Sequence, residues 1–169
     1  MKRLAGLLFG LLLVLPQCGY HLRGRGNAIP PAIHSIAIPA FKNQTMRFQA
    51  EKFVTTAVKE EFISRSRLQL IDDPEKADAL LEGEITGFNV RPLSYTEQAS
   101  ANLQEIQIVL NVRLIDRQQS TILFEGKNIM YVDSYQTETG DFFSQETESL
   151  QKIAERFAAS IVSTILENF

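Results

Sequence analysis

The most regular pattern in the chain lies toward its C-terminal end. Leu150, Ile153, Ala154, Phe157, Ala158, Ile161, Val162, Ile165 and Leu166 recur at spacings of three and four. That period puts them on one stripe of a helix running from about Gln145 to Asn168. Glu146 and Glu148 fall near its start, where the helix dipole favours acidic charge. An earlier stripe, Ala50, Phe53, Val54, Ala57, Val58 and Phe62, predicts a first helix from about Arg47 to Ser64, with Glu51, Lys52, Lys59 and Glu60 outside it. Asn43-Gln44-Thr45 just before reads as a capping turn.

Between and before the helices the period changes to two. Ile106, Ile108, Leu110, Val112 and Leu114 alternate with polar residues, which predicts a strand over Leu103 to Asp116. Arg117-Gln118-Gln119-Ser120 turns the chain, and Thr121 to Val132 returns as its antiparallel partner, with Ile122, Phe124, Met130 and Val132 expected on one face. Ala79 to Arg91 is a further strand on which Leu81, Gly83 and Ile85 share a face. Phe88 and Val90 fall on the opposite parity, which a bulge at Gly87 would reconcile. Pro92 to Asn102 reads as a long hairpin tip, and Ser134 to Phe143 as a polar connector. Ile33 to Ala40 is a first strand near an edge, ended by Pro39, and Leu68 to Ile71 is a short strand broken by Asp72-Asp73-Pro74. The order β-α-β-β-β-β-α leaves two helical stripes and one apolar sheet face to bury. The expected fold is α/β (α+β): a two-layer sandwich of an about four-stranded, mostly antiparallel sheet with both helices on one face.

The N-terminus obeys a different rule. Lys2-Arg3 precede an apolar run from Leu4 to Leu15, which is the length of a secretory leader and too short to span a bilayer. The run ends at Leu15-Pro16-Gln17-Cys18. Leucine three residues before a cysteine resembles the bacterial lipobox, whose cysteine is acylated; Gln17 stands where that motif has Gly, Ala or Ser. The alternative is an ordinary cleaved leader and an incidental cysteine. The expected organisation is a leader over 1–17, an anchor linker over 18–31 rich in Gly and Pro, and one domain over 32–169.

Charge and cysteine usage narrow the function. Of 17 basic residues, Lys2 and Arg3 leave with the leader, so 15 remain against 20 acidic ones. That balance argues against a nucleic-acid binder. Cys18 is the single cysteine, so neither an internal disulfide nor a cysteine metal cluster can form. Asp72-Asp73 and Glu82/Glu84 are the carboxylate pairs worth weighing for acid–base chemistry. Pro74 makes the first a turn, and alternation sets the second on one strand face, so neither converges with another group. No phosphate loop, dinucleotide fingerprint or nucleophile elbow is present, and neither an enzymatic activity nor a cofactor is expected.

The string Cys18-Gly19-Tyr20-His21-Leu22-Arg23-Gly24 resembles the start of mature lipopolysaccharide-assembly lipoproteins of the LptE type. The resemblance implies a lipid-anchored protein on the periplasmic side of the outer membrane, with lipidation at Cys18. It implies two partners, a large LptD-type β-barrel that the protein plugs and helps to assemble, and lipopolysaccharide, which it helps to place in the outer leaflet. A second resemblance, carried by Ile36 to Thr45 with the helix and strand that follow, is to secretion-channel lipoproteins of the curli type and to Tol-system N-terminal domains.

Lipopolysaccharide carries phosphates, which guanidinium and ammonium groups match. The candidate contacts to it or to the barrel are Arg23 beside the anchor, Lys42 and Arg47 before the first helix, and Arg91, Arg113, Arg117 and Lys127 on the strands. Each also fits a plainer role, as a solvated linker charge or as the polar face of a sheet. His21 has no metal partner in its neighbourhood of the chain.

Overall fold

The computed structural model describes residues 29–95, 101–136 and 142–167. The leader, Cys18, Arg23 and residues 96–100 of the expected hairpin tip lie outside the described residues; the rest of that tip, expected over Pro92 to Asn102, is strand, in β4 to Tyr95 and in β5 from Ala101.

Among the described residues eight elements follow one another: β1 (Ser35–Ala37), β2 (Lys42–Asn43), α1 (Ala50–Arg65), β3 (Gln69–Leu70), β4 (Ala79–Tyr95), β5 (Ala101–Asp116), β6 (Thr121–Gln136) and α2 (Phe142–Glu167). The sheet order is β3-β1-β4-β5-β6, with β2 pairing β4 beyond β1. The three long strands form an antiparallel meander. β1 runs parallel to both β3 and β4, and β2 runs parallel to β4. The fold class is the expected α+β sandwich, with six strands among the described residues rather than about four.

β1 lies one place in from the sheet edge, as the expectation of a near-edge strand has it. Leu68 to Ile71 docks along its outer side, where Gln69 N–H donates to His34 O and Ile71 N–H to Ile36 O, both at 2.9 Å. β1 is therefore an inner strand, and its three residues are all buried.

Both helices cover one face of the sheet. α1 turns Ala50, Val54, Ala57, Val58 and Phe62 inward, and α2 turns Leu150, Ile153, Ala154, Phe157, Ala158, Ile161, Val162 and Ile165. They meet Leu81, Ile85, Ile106, Ile108, Leu110, Val112 and Leu114 from the sheet in one continuous core. Burying each large side chain such as Phe62 or Phe157 stabilises the fold by about 1.5–3 kcal/mol. α1 begins three residues later than the stripe predicts, at Ala50. Asn43 still organises the turn before it: its Oδ1 accepts from Thr45 N–H (2.9 Å) and its Nδ2 donates to Arg47 O (2.9 Å).

Bulges decide which residues reach the core. Thr86 is the extra residue between Ile85↔Leu110 and Gly87↔Val109, which puts Phe88 opposite Ile108 on the helix side, as the parity change implied. β6 contains two further shifts, one at Leu123 and one at Lys127-Asn128. Asn128 adopts φ 52°, and its N–H donates to Asn111 Oδ1 at 2.9 Å. Phe124 therefore pairs with Leu114 on the core side, whereas Ile122 pairs with Ile115, Met130 with Val109 and Val132 with Gln107 on the other face. The expected common face for Ile122, Phe124, Met130 and Val132 is corrected accordingly: Phe124 leaves the set. The meander is also longer than expected, since β6 continues to Gln136 into the region expected as a connector, and α2 begins at Phe142.

Candidate functional site

The helices leave the second face of the meander uncovered. Pairing across β4, β5 and β6 arranges this open face in rows. Leu80, Ile115 and Ile122 form the row nearest the β5–β6 turn. Glu82, Arg113 and Glu125 form the next. Glu84 and Asn111, opposite the Lys127-Asn128 bulge, follow, then Gly87, Val109 and Met130, then Asn89, Gln107 and Val132, and then Arg91, Glu105 and Ser134. Charged rows thus flank an apolar centre in which Met130 is 60% exposed and Val132 47%.

Each cation on this face has an acidic neighbour. Arg113 Nη2 meets Glu82 Oε2 at 3.1 Å, Lys127 Nζ meets Glu125 Oε2 at 3.2 Å, and Arg91 Nε donates to Glu105 Oε1 at 2.6 Å. Glu105 raises the Arg91 pKa above the ordinary arginine value, first by that hydrogen bond and then by its charge. β2 brings Lys42 beside Glu84 in register, which sets it on the same face. Glu84 itself accepts from Gln44 Nε2 at 2.6 Å. Exposed pairs of this kind contribute little stability, so they can exchange partners at small cost.

Two of the expected contacts lie elsewhere. Arg117 is in the β5–β6 turn rather than on the face. Its N–H donates to Asp78 O at 2.8 Å and its Nη2 reaches Glu75 Oε2 at 3.0 Å, so it braces the turn against the loop before β4. Arg47 precedes α1 with its guanidinium carbon 5.7 Å from the centre of the Phe88 ring, on the helix side of the sheet. The structure therefore brings Lys42, Arg91, Arg113 and Lys127 to one face and separates Arg47 and Arg117 from them.

The weighed carboxylates do not converge. Glu82 serves Arg113, Glu84 serves Gln44, and Asp73 accepts from Glu75 N–H and pairs with Lys76. Among the described residues no three His, Cys, Asp or Glu side chains come together as a metal site, and no helix is long and apolar enough to cross a membrane.

Sequence reasoning missed the apolar centre of the open face, because the β6 bulges reverse its parity. The available signal was Gly126-Lys127-Asn128, a run in which glycine and asparagine mark a break in alternation and asparagine tolerates positive φ.

Three solved structures illustrate the fold's relatives. The chain is similar to uncharacterized lipoprotein B from Nitrosomonas europaea, solved in solution, at 17% identity and a TM-score of 0.52, covering 88% of this chain and 90% of that one. It is similar to the PelC dodecamer from Paraburkholderia phytofirmans at 14% identity and a TM-score of 0.54, covering 80% and 91%. A protein from Xanthomonas campestris matches at 11% identity and a TM-score of 0.55, covering 81% and 88%. At such identities the likeness shows the fold alone. No curated protein matches the chain. A family model described as lipopolysaccharide-assembly matches residues 33–165, which takes in all eight elements but the last two residues of α2. By that match the chain belongs to the lipopolysaccharide-assembly (LptE) family.

Proposed function

We propose that the chain is a non-catalytic lipoprotein on the periplasmic side of the outer membrane, anchored through acylated Cys18. Its domain fits as a plug within an LptD-type β-barrel, helps that barrel to assemble, and assists the insertion of lipopolysaccharide into the outer leaflet. The observation that carries this reading, beside family membership, is the uncovered face of the β4–β6 meander. The lumen of a large outer-membrane barrel is polar. A face whose cations are already matched by glutamates can lie against such a wall without a net charge clash. The Arg91 fork can leave Glu105 for a phosphate, because both present oxygens to the same planar donors. The engagement of Glu82, Glu84 and Asp73 in structural contacts supports a role without chemistry.

The test is replacement of Arg91, Arg113 and Lys127 together by alanine. Co-purification of the barrel and retention of lipopolysaccharide should both fall. Unchanged binding of both would reject the face. Purification of the unaltered chain from outer membranes should yield a large β-barrel at a one-to-one ratio. The other reading, a ring-forming secretion-channel or Tol-like adaptor, has no specific observation in its favour beside the family match, and a homo-oligomeric ring in that purification would restore it.

A further inference from the structure

β4 is an inner strand over only part of its length. β1 pairs with it at Ala79–Leu80 and β2 at Glu84–Ile85, and among the described residues no strand follows them on that side. The β2 ladder ends where Gln44 N–H donates to Ile85 O at 2.9 Å. That bond fixes which way the backbone points. Ile85 turns its polar groups away from β5, so its partner Leu110 turns its own toward β6, and by the alternation of the strand Ile108 and Ile106 do the same. Phe88 and Val90, opposite Ile108 and Ile106, therefore present N–H and C=O to the free side. Pro92, opposite Gln104, presents a carbonyl alone and closes the stretch, as proline does at a sheet edge.

Apolar side chains stand beside this free edge. Met46 and Phe48, the two most exposed large apolar residues among those described, lie in the loop that leaves β2, and Val90 and Leu93 are exposed on β4 itself. Asn43 holds the loop in place, its Nδ2 donating to Arg47 O at 2.9 Å and to Glu51 Oε2 at 2.7 Å. Phe48 and Phe88 line an apolar hollow with Phe53, Leu150 and Ile153, and the Arg47 guanidinium lies over the Phe88 ring. A free row of backbone donors and acceptors next to an apolar hollow is the arrangement that takes up an extended peptide: the main chain supplies the binding and the hollow selects alternate side chains.

We propose that an external loop of the partner barrel folds into the lumen and adds to β4 along Phe88–Pro92 as an extended strand, with an apolar side chain seated against Phe48 and Phe88. The inference rests on the proposed seating within an LptD-type barrel, and it names the contact that holds the far end of the domain there. Ile29 and Ile33 are buried and bring the chain in at the start of β1, where Ile36 pairs with Ala79. Val90 lies eleven residues further along β4, about 36 Å from that end. The apolar band of an outer-membrane barrel is about 25 Å tall. A domain tethered to the periplasmic leaflet at its N-terminal end and seated lengthwise therefore carries this edge to the outer mouth of the lumen. Barrels have short turns on the periplasmic side and longer loops outside, so the chain within reach at that mouth is an external loop. A row of main-chain donors and acceptors is matched by another backbone, which acyl chains do not have. A second copy of this chain would match it too, but a one-to-one complex contains none.

A photoreactive phenylalanine analogue at position 48 or 90 of the full-length chain, co-expressed with the barrel, tests the contact. Ile63, exposed near the other end of α1, is the control position. Positions 48 and 90 should crosslink to one short external segment of the barrel, and position 63 should not reach that segment. Val90→Pro then tests the main-chain part. It removes the outward N–H, which the ladder with β5 does not use, so the purified variant should keep its cooperative thermal unfolding. In this variant the crosslink from position 48 should fall about tenfold, as loss of a donor and the bulk of the ring both oppose pairing. Adducts with a second copy of the chain, adducts of positions 48 and 90 on unrelated barrel segments, or no adduct although the barrel co-purifies would each overturn the inference and leave the proposed function standing. So would an undiminished crosslink from position 48 in folded Val90→Pro. If the unaltered chain captures no barrel, the proposed function fails and the inference fails with it.

Discussion

Asp78 and Ser35 hold each other where β1 enters the sheet. Ser35 Oγ donates to Asp78 Oδ2 at 2.8 Å and accepts from Asp78 N–H at 2.9 Å. The same carboxylate oxygen accepts from His34 N–H and Ser35 N–H, both at 3.0 Å, and Gln118 Nε2 donates to Oδ1 at 2.9 Å. One side chain thereby joins the start of β1, the start of β4 and the β5–β6 turn.

This arrangement makes stability pH-dependent at Asp78. The His34 N–H and the Ser35 hydroxyl lower its pKa below 3.8, and burial opposes them only in part. A lowered folded pKa means that the contribution is complete above the unfolded value and is lost as pH falls through the folded one. Asp78→Ala should cost about 1–3 kcal/mol at neutral pH, since it leaves backbone donors without their acceptor. The difference from the unaltered chain should shrink below about pH 4, as read from urea midpoints across the acid range. A deficit that persists undiminished at low pH would contradict the assignment.

A second dependence joins a ring to a missing side chain. A Cβ added at Gly83 would lie 2.5 Å from Cγ of Phe41, so the strand can carry this ring only where it has no side chain. Gly83→Ala should therefore destabilise by about 1–3 kcal/mol through overpacking. Phe41→Leu in the same chain should recover part of that loss, because the smaller residue yields the space. Thermal unfolding of the two single variants and the double variant measures the coupling.

The contacts across the layers offer a third test. Arg156 of α2 donates to Asp133 Oδ2 of β6 at 2.6 Å, and the Tyr131 hydroxyl donates to the same oxygen at 3.0 Å. Burial works to raise the Asp133 pKa, but Arg156, Ser134 N–H and Tyr131 together bring it below the ordinary value. A double-mutant cycle of Arg156→Ala and Asp133→Ala should give a coupling of about 0.5–1 kcal/mol at neutral pH, modest because Arg156 is half-exposed. The coupling should vanish once acid protonates Asp133.

How far the sequence discloses this molecule depends on whether each element's pattern is local. The α2 stripe and the β5 alternation are local, and both elements form as their periods require. The change of parity at Gly87 is local as well, and a bulge at Thr86 resolves it. The position of β1 is not local, because only the docking of β3 on its outer side makes it an inner strand. The same limit applies to the candidate site. Arginine and lysine at strand positions pointed toward the open face for Arg91, Arg113 and Lys127. Their glutamate partners come from neighbouring strands or from two residues away, and register rather than residue type selects them. Arg117 looked equivalent to them in sequence, yet the turn takes it out of the sheet and gives it to Glu75.

Asn128 is where a single backbone angle decides which face of β6 meets solvent. With φ 52° and its N–H held by Asn111 Oδ1, it sets Lys127-Asn128 opposite one residue of β5. Beyond it, Met130 and Val132 face outward while Ile129 and Tyr131 pack toward the core. Asn128→Gly should be tolerated, since glycine enters this region without steric cost. Asn128→Val should cost about 1–2 kcal/mol, because a branched side chain resists a left-handed backbone. If the open face binds a partner, that loss of stability should come with weaker barrel co-purification even at temperatures where the domain stays folded, because any relaxation of the bulge moves Met130 and Lys127 relative to β5. Deleting Lys127 is the converse test: it removes the extra residue, leaves Asn128 alone opposite Asn111, keeps Ile129 on the core side and Met130 and Val132 outward, and should preserve the cooperative unfolding transition. A Lys127 deletion that loses the cooperative transition would show that the bulge does more than absorb one extra residue opposite Asn111.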